Sequence, residues 1–398
     1  MPGSILPART MAALDTIAPI KRFFEEPGLT RRLGDPDACD FTIGNPHDLP
    51  PRGFVEALQR RVVPENIHWY AYKTNEPASR AVLAASLRAW RGINFEEEDI
   101  FVTNGATAGL HVVLGTIIEP GDEVIFISPP WFQYEGMIII AGGTPVRVKI
   151  DPKTHDLDLA SLEKAITSKT RAIIINSPHN PTGKIYSPDT LKRLAALLTA
   201  AGRRNGRTVY LVSDESYSRI VFDGRTYQSP TGFYPDTFLI YTYGKVLLTP
   251  GQRMGFIALP PDMPGKAVMR DALDSFQMLC GWAFPNALLQ HALADLDRIS
   301  VDIAHLQKKR DRMVTALREM GYETSVPEGT FYVLVRSPLD DDAAFVRMLV
   351  DYNIFCIPGA LMELPGWFRI SLTANDDMIE RSLPKFADAL RKTRSGTR

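Results

Sequence analysis

The sequence predicts an α/β fold: a large domain with a mostly parallel central sheet between helices, then a smaller α+β domain. Three observations predict it. Between about residues 95 and 260, short apolar runs alternate with longer helical patterns, as strands and helices do in one parallel sheet. The runs are apolar on both faces, as strands become when helices cover both sides of a sheet. After Pro285 the alternation gives way to a long charged amphipathic stretch with short strand candidates behind it. A chain of 398 residues is long enough to divide in this way.

The elements follow in order. Residues 1–45 are rich in Pro and Gly and are expected to pack against the smaller domain. Residues 46–285 form the large domain. Its strand runs are 124–127, 172–175, 209–212, 238–241 and 256–259, with helical stretches notably at 106–117, 159–166 and 188–201. Residues 286–398 form the smaller domain. An amphipathic stretch over 286–320 reads as a long interdomain helix, with strands at 330–335 and 367–372 and a closing helix near 376–391.

Composition excludes several function classes. Apolar residues make up 45% and charged residues 23%, and the formal net charge is −1. These are ordinary values for a globular protein, and nothing in the balance points to nucleic acid or a membrane as partner. The first residues lack a basic region followed by a sustained apolar core, so no secretion signal is read there. No apolar run approaches the length of a membrane span. Cys39, Cys280 and Cys356 are few, odd in number and far apart, which argues against a disulfide framework or a metal site and for a reducing cytoplasm.

In open α/β sheets, ligands bind beyond the carboxyl ends of the strands, so the residue after each run carries the most information. Ser128-Pro129-Pro130-Trp131 follows the first run and Asn176 to Gly183 the second. Ser213-Asp214-Glu215-Ser216-Tyr217 follows the third, and Thr242-Tyr243-Gly244-Lys245 the fourth. Eight positions after Lys245 comes Arg253, among glycines. A lysine amine with a fixed cation nearby is what pyridoxal phosphate needs, one for a Schiff base and one for the phosphate. The other ends supply the rest. Asp214 keeps the ring nitrogen protonated, Asn180 and Tyr217 serve the phenolate oxygen, and Trp131 offers the ring a flat partner. Gly105, Ala106 and Thr107 open a helix whose N-terminus suits an anion, and Thr242 adds a hydroxyl. Taken singly, Asn180-Pro-Thr-Gly also reads as a turn, Asp214 as a helix cap and Trp131 as core. Their order along one sheet edge separates the two readings.

With these residues in place, the chain resembles the class I/II aminotransferases, pyridoxal phosphate enzymes of fold type I, over nearly its whole length. Asn-Pro-x-Gly stands at 180–183, Asp-x-x-Tyr at 214–217, and the lysine and arginine at 245 and 253. The resemblance implies a small domain built from both termini and a homodimer with shared sites. It also implies that Gly44 lies in a loop over the substrate carboxylate, that Tyr70 reaches the neighbouring subunit's cofactor phosphate, and that Arg369 grips the α-carboxylate. Asn180 would also contact substrate. Three places depart from the family pattern. Gly244 stands where a serine is common, Asn75 stands near Tyr72 and Lys73 where a glycine is usual, and 358–362 lacks an aromatic.

The resemblance implies transfer of an amino group between an L-amino acid and a 2-oxo acid, through internal and external aldimines and pyridoxamine phosphate. Lys245 would act as general base and acid. The same fold also supports lyase, cyclase, decarboxylase and oxidase outcomes, and the altered 72–75 loop keeps these open. A non-catalytic cofactor-binding regulator would need a DNA-binding segment, which residues before 45 do not offer. A nicotinamide dehydrogenase would need GxGxxG after the first strand, and that spacing is absent. Trp69, Tyr72, Phe276 and Trp282 hint at an aromatic-lined substrate pocket, and core packing explains them equally well.

Overall fold

The structure, a computed structural model, describes residues 5–26, 28, 35–281 and 285–395. Strand β1 (Cys39–Asp40) lies outside the main sheet. The main sheet comprises β2 (Ile100–Thr103), β3 (Glu123–Ser128), β4 (Thr144–Lys149), β5 (Thr170–Asn176), β6 (Tyr210–Asp214), β7 (Thr237–Thr242) and β8 (Gly255–Ala258). Their spatial order is β2-β8-β7-β6-β5-β3-β4. The five strands from β4 to β7 run parallel, whereas β8 is antiparallel to both its neighbours. The run at 256–259 therefore forms the sheet's reversed strand.

That reversal places the site. Gly255, at the start of β8, pairs with Thr242 at the end of β7 and with Thr103 at the end of β2. Arg253 therefore arrives at the same edge as Lys245, and the turn after Thr103 arrives there too. Central strands β3, β5 and β7 are apolar and buried almost throughout. Helix Gly105–Ile117 lies on one face of the sheet, burying Leu110, Val113 and Leu114. Helix Pro188–Asn205 buries Leu191, Leu194 and Leu198 in the cluster that holds Ile173 and Ile175. Each large side chain so buried contributes about 1.5–3 kcal/mol before conformational entropy is subtracted.

A second core is assembled from both ends of the described chain. Strands β9 (Tyr332–Arg336), β11 (Ile357–Pro358) and β12 (Trp367–Ser371) form an antiparallel sheet, and β10 (Ile354–Phe355) pairs in parallel with β1. Phe23 and Phe41 pack in one cluster with Leu317, Phe345 and Phe386. Tyr217 and Phe331 belong to the same cluster, so this core reaches into the region that holds the site. The stretch over 286–320 is two helices, Ala287–Leu296 and Ile303–Met320. Between them Val301 donates its backbone N–H to Val246, and the Asp302 side chain caps the second helix through the His305 N–H. No helix among the described residues is long and apolar enough to cross a membrane.

Candidate active site

A cavity of about 320 Å³ opens at the carboxyl edge of the main sheet. Gly44, Ala106, Thr107, Trp131, Asn180, Asp214, Tyr217, Thr242, Lys245, Arg253 and Arg369 all line it. Three of these are cations and one is a carboxylate, so the cavity presents excess positive charge.

Lys245 follows β7 on the short helix Tyr243–Val246. Its Nζ lies 5.8 Å from the centre of the Tyr217 ring and 5.9 Å from that of Phe331. Thr242 caps this helix, accepting from the Gly244 N–H at 3.3 Å and donating its hydroxyl to the Met254 carbonyl at 3.1 Å. Gly244 has a packing reason. A Cβ there would sit 3.0 Å from Pro250 Cα, so a serine would require the 250–252 turn to move.

Arg253 holds a left-handed backbone, φ 46°, a strained choice for a residue with a side chain. Its Nη1 donates to the Pro250 carbonyl at 2.9 Å. Its guanidinium closes on Gly105, where φ is +78° and a Cβ would fall 3.0 Å from Nη2. Gly105 thus allows the arginine to lie against the first turn of helix Gly105–Ile117, where Ala106 and Thr107 face the cavity. A cation beside fresh helix N–H groups is an anion cradle.

Asp214 ends β6 and is buried. Its Oδ1 accepts from the Ser216 N–H and hydroxyl at 3.1 and 2.6 Å, and its Oδ2 accepts from the Tyr134 hydroxyl at 2.6 Å. Burial and the neighbouring carboxylate push the Tyr134 phenol well above its ordinary value, so it remains a donor. Trp131 meets Tyr134 edge-on, centroids 5.4 Å apart. Asn176, the last residue of β5, donates from Nδ2 to the Asp214 carbonyl at 2.8 Å and accepts the Asn180 N–H at 2.7 Å.

Arg369, on β12, donates Nη1 to Asn180 Oδ1 at 3.0 Å and Nη2 to the Thr42 carbonyl at 2.9 Å. Its Nε is buried and has no hydrogen-bond partner among the described residues. An orphaned guanidinium N–H in a buried wall is costly unless a ligand completes it. Gly44 presses close by, since a Cβ there would fall 2.9 Å from the Tyr332 hydroxyl oxygen. The Tyr217 hydroxyl donates to Tyr332 at 3.3 Å.

Tyr70 stands apart from this cavity. It is more than half exposed, its hydroxyl donates to the Val62 carbonyl, and it lines a separate groove with Tyr72, Lys73 and Pro285. The hint of an aromatic pocket is corrected. Trp69 stacks on His291 at 3.7 Å, and Phe276 packs over Gly115; neither lines the cavity. Trp282 lies outside the described residues. Asn75 braces the sheet, with Oδ1 accepting from the Val102 N–H at 2.6 Å and Nδ2 donating to Asp274 and Gln277.

Sequence reasoning missed Tyr134, Asn176, Ser216 and Tyr332. Asn176 obeys the strand-end rule, and Tyr134 stands one helical turn beyond Trp131, so both had a signal. Tyr332 had none, because it opens a strand of the other core.

These residues fit pyridoxal phosphate. The Gly105–Arg253 cradle suits a dianionic phosphate, the buried Asp214 suits a ring N–H, and Lys245 shares the cavity with both. The partnerless Arg369 Nε suits the carboxylate of a substrate.

The sequence pattern of the family described as aminotransferase class I and II matches residues 36–386. An aspartate/prephenate aminotransferase of Thermus thermophilus is 30% identical over 362 residues, covering 89% of this chain and 91% of that protein. A probable N-succinyldiaminopimelate aminotransferase of Mycobacterium tuberculosis is 29% identical, covering 92% and 95%. The solved structure of an aminotransferase from Eubacterium rectale superposes with a TM-score of 0.91 at 29% identity, over 98% of this chain and 99% of that one. The aspartate aminotransferase of Thermus thermophilus with maleate gives 0.82 at 26% identity, over 98% and 100%.

Proposed function

The chain belongs to the aminotransferase class I and II family, and from that premise we propose how its own residues carry out pyridoxal-phosphate-dependent amino-group transfer. The cofactor supplies an electrophilic carbon and a ring that delocalises the electron pair left when the substrate's α-proton departs. Lys245 holds the cofactor through Nζ, and once released takes the α-proton and returns it on the far side of the transfer. Asp214 keeps a proton on the ring nitrogen, and the Tyr134 and Ser216 hydrogen bonds hold that carboxylate in place. Arg253, Thr242 and the amides of Ala106 and Thr107 hold the phosphate. The Asn180 amide and Tyr217 hydroxyl serve the phenolic oxygen, and Trp131 covers the ring. Arg369 offers Nε to the α-carboxylate beneath Gly44.

One observation carries this reading: Arg369 and Lys245 line the same cavity, and the buried Nε of that guanidinium has no hydrogen-bond partner among the described residues. Substituting Lys245→Ala abolishes multiple-turnover transamination. Retention of full turnover by that variant would show the assignment to be wrong.

The substrate class follows from what remains of the cavity wall. Ile43, Leu110, Phe132 and Gln133 supply no charge, and among the described lining residues no fourth cation stands opposite Arg369. The named relatives act on aspartate, prephenate or succinyldiaminopimelate partners by their names. For this chain we propose an amino acid with an uncharged side chain. A panel of amino donors, scored by the change in cofactor absorbance, tests this; preference for aspartate would contradict it.

We also propose a homodimer. Ile67, Tyr72 and Leu279 are at least 83% exposed, and Tyr72 lines the groove that holds Tyr70. A second copy over this face would bury them and bring Tyr70 to its partner's phosphate. Light scattering at twice the chain mass, with weaker cofactor retention in Tyr70→Phe, is the expected result. The three cysteines, few and odd in number, support a reducing cytoplasm as the location.

A further inference from the structure

Tyr332 begins β9 and lines the cavity, yet it belongs to the core built from both ends of the chain. The guanidinium carbon of Arg369 lies 4.0 Å from the centre of its ring. This is close cation–π contact in a buried setting, where such pairs are strongest. The two residues are diagonal neighbours across the β9–β12 ladder, Tyr332 opposite Ser371 and Arg369 opposite Leu334. The shelf is therefore set by strand register rather than by loop conformation. At the other end of the ring, the Tyr332 hydroxyl accepts the proton of Tyr217 at 3.3 Å.

We propose that Tyr332 is a positioning residue for the transfer, its ring holding Arg369 flat for the substrate carboxylate and its hydroxyl taking the proton of Tyr217. The inference rests on the roles given above to Arg369 and Tyr217. Three titratable or charged groups face Tyr332: Arg369 from β12, Lys245 from the helix after β7, and Tyr217 from beyond β6. Burial pushes the Tyr332 phenol up, but the charges of Arg369 and Lys245 and the Tyr217 hydrogen bond outweigh it and leave it lowered. Burial drives the Tyr217 phenol well upward. The proton of the pair therefore stays on Tyr217, with the Tyr332 oxygen as acceptor.

A hydroxyl has one proton to give. Tyr217 shares it between Tyr332 and the cofactor's phenolic oxygen, so the bond to that oxygen is weakened. Loss of the acceptor in Tyr332→Phe turns it toward that oxygen and dissipates the negative charge there. The lysine-bound cofactor then loses its proton at lower pH. The ring remains, so Arg369 keeps its shelf.

The test uses the holoenzyme and two variants. Absorbance of the lysine-bound cofactor is titrated against pH. In Tyr332→Phe the midpoint falls by about 0.5–1 pH unit, the size of one net hydrogen bond, with KM for the amino donor within about twofold. In Tyr332→Met, which keeps bulk but loses the shelf, KM rises about tenfold and kcat changes less. An unmoved or raised midpoint in Tyr332→Phe overturns the proton role, and an unmoved KM in Tyr332→Met overturns the shelf. Tyr217→Phe serves as the control and raises the midpoint. If that variant shifts it and Tyr332→Phe does not, this inference falls alone. If neither shifts it, the role assigned to Tyr217 falls, and the proton role of Tyr332 with it.

Discussion

Asn180 and Arg369 stand 189 residues apart in sequence and meet through a 3.0 Å hydrogen bond from Arg369 Nη1 to Asn180 Oδ1. The bond ties the loop after β5 to β12, and so joins the two cores across the cavity. It also orients the amide: with Oδ1 occupied, the two N–H donors of Asn180 remain for a ligand. Asn180→Ala removes one of the two fixed partners of the guanidinium, and KM for the amino donor rises about tenfold, the scale of one hydrogen bond to a charged group. Arg369→Lys lacks the planar fork and lowers kcat/KM by about a hundredfold. Steady-state kinetics of both singles and the double variant measure the coupling, which is less than additive because both act on one carboxylate.

Gly105 tests the phosphate cradle. Its left-handed backbone and the 3.0 Å space before Arg253 Nη2 leave no room for a methyl group. Gly105→Ala forces the arginine aside and strains the turn by about 1 kcal/mol or more. Cofactor retention during dialysis, followed by absorbance, falls about tenfold or more, while the far-UV spectrum is unchanged.

Tyr134 tests the support of Asp214. Its hydroxyl donates to Oδ2 at 2.6 Å, a charge-assisted bond. Tyr134→Phe leaves the apolar packing and removes only that donor. The predicted outcome is about a tenfold loss in kcat with KM nearly constant. A thermal midpoint close to wild type would show that the loss is not one of folding.

His179 carries a pH prediction. Burial, with a smaller contribution from His155, lowers it from 6.5 to about 3, and its Nδ1 shares a hydrogen bond with Thr182 Oγ1 at 2.9 Å. The unfolded chain binds a proton at this imidazole below about pH 6.5, and the folded chain does not until about pH 3. Stability held above pH 6.5 is thus lost as pH falls through that window, by up to ~1.4 kcal/mol per unit. Between pH 7 and pH 5 the wild type loses about 2 kcal/mol more than His179→Gln, read from denaturant midpoints at fixed protein concentration.

The sequence carried the site further than the fold around it. Strands β3, β5, β6 and β7 were legible because Ile125, Ile173, Leu211 and Leu239 sit in runs buried on both faces, and their ends follow directly. Strand β4 was not legible: it is the edge of the sheet, half its residues meet solvent, and Pro145 interrupts its apolar pattern, as edge strands tolerate. Strand β2 is only four residues long. The break at 297–302 escaped because the amphipathic pattern runs through it; the Asp302 cap and the tertiary bond from Val301 to Val246 hold it. Tyr332 escaped for a related reason. Its place over the cavity depends on how β9 pairs with β12, and no local pattern encodes that meeting.

The central claim is that Lys245 is the covalent anchor of pyridoxal phosphate. Borohydride reduction of the holoenzyme fixes the cofactor to whichever amine holds it, and peptide mass spectrometry then locates it. The predicted result is one phosphopyridoxyl group per chain, on the peptide that contains Lys245. A label on any other lysine, or no label in an enzyme that still turns over, would contradict it.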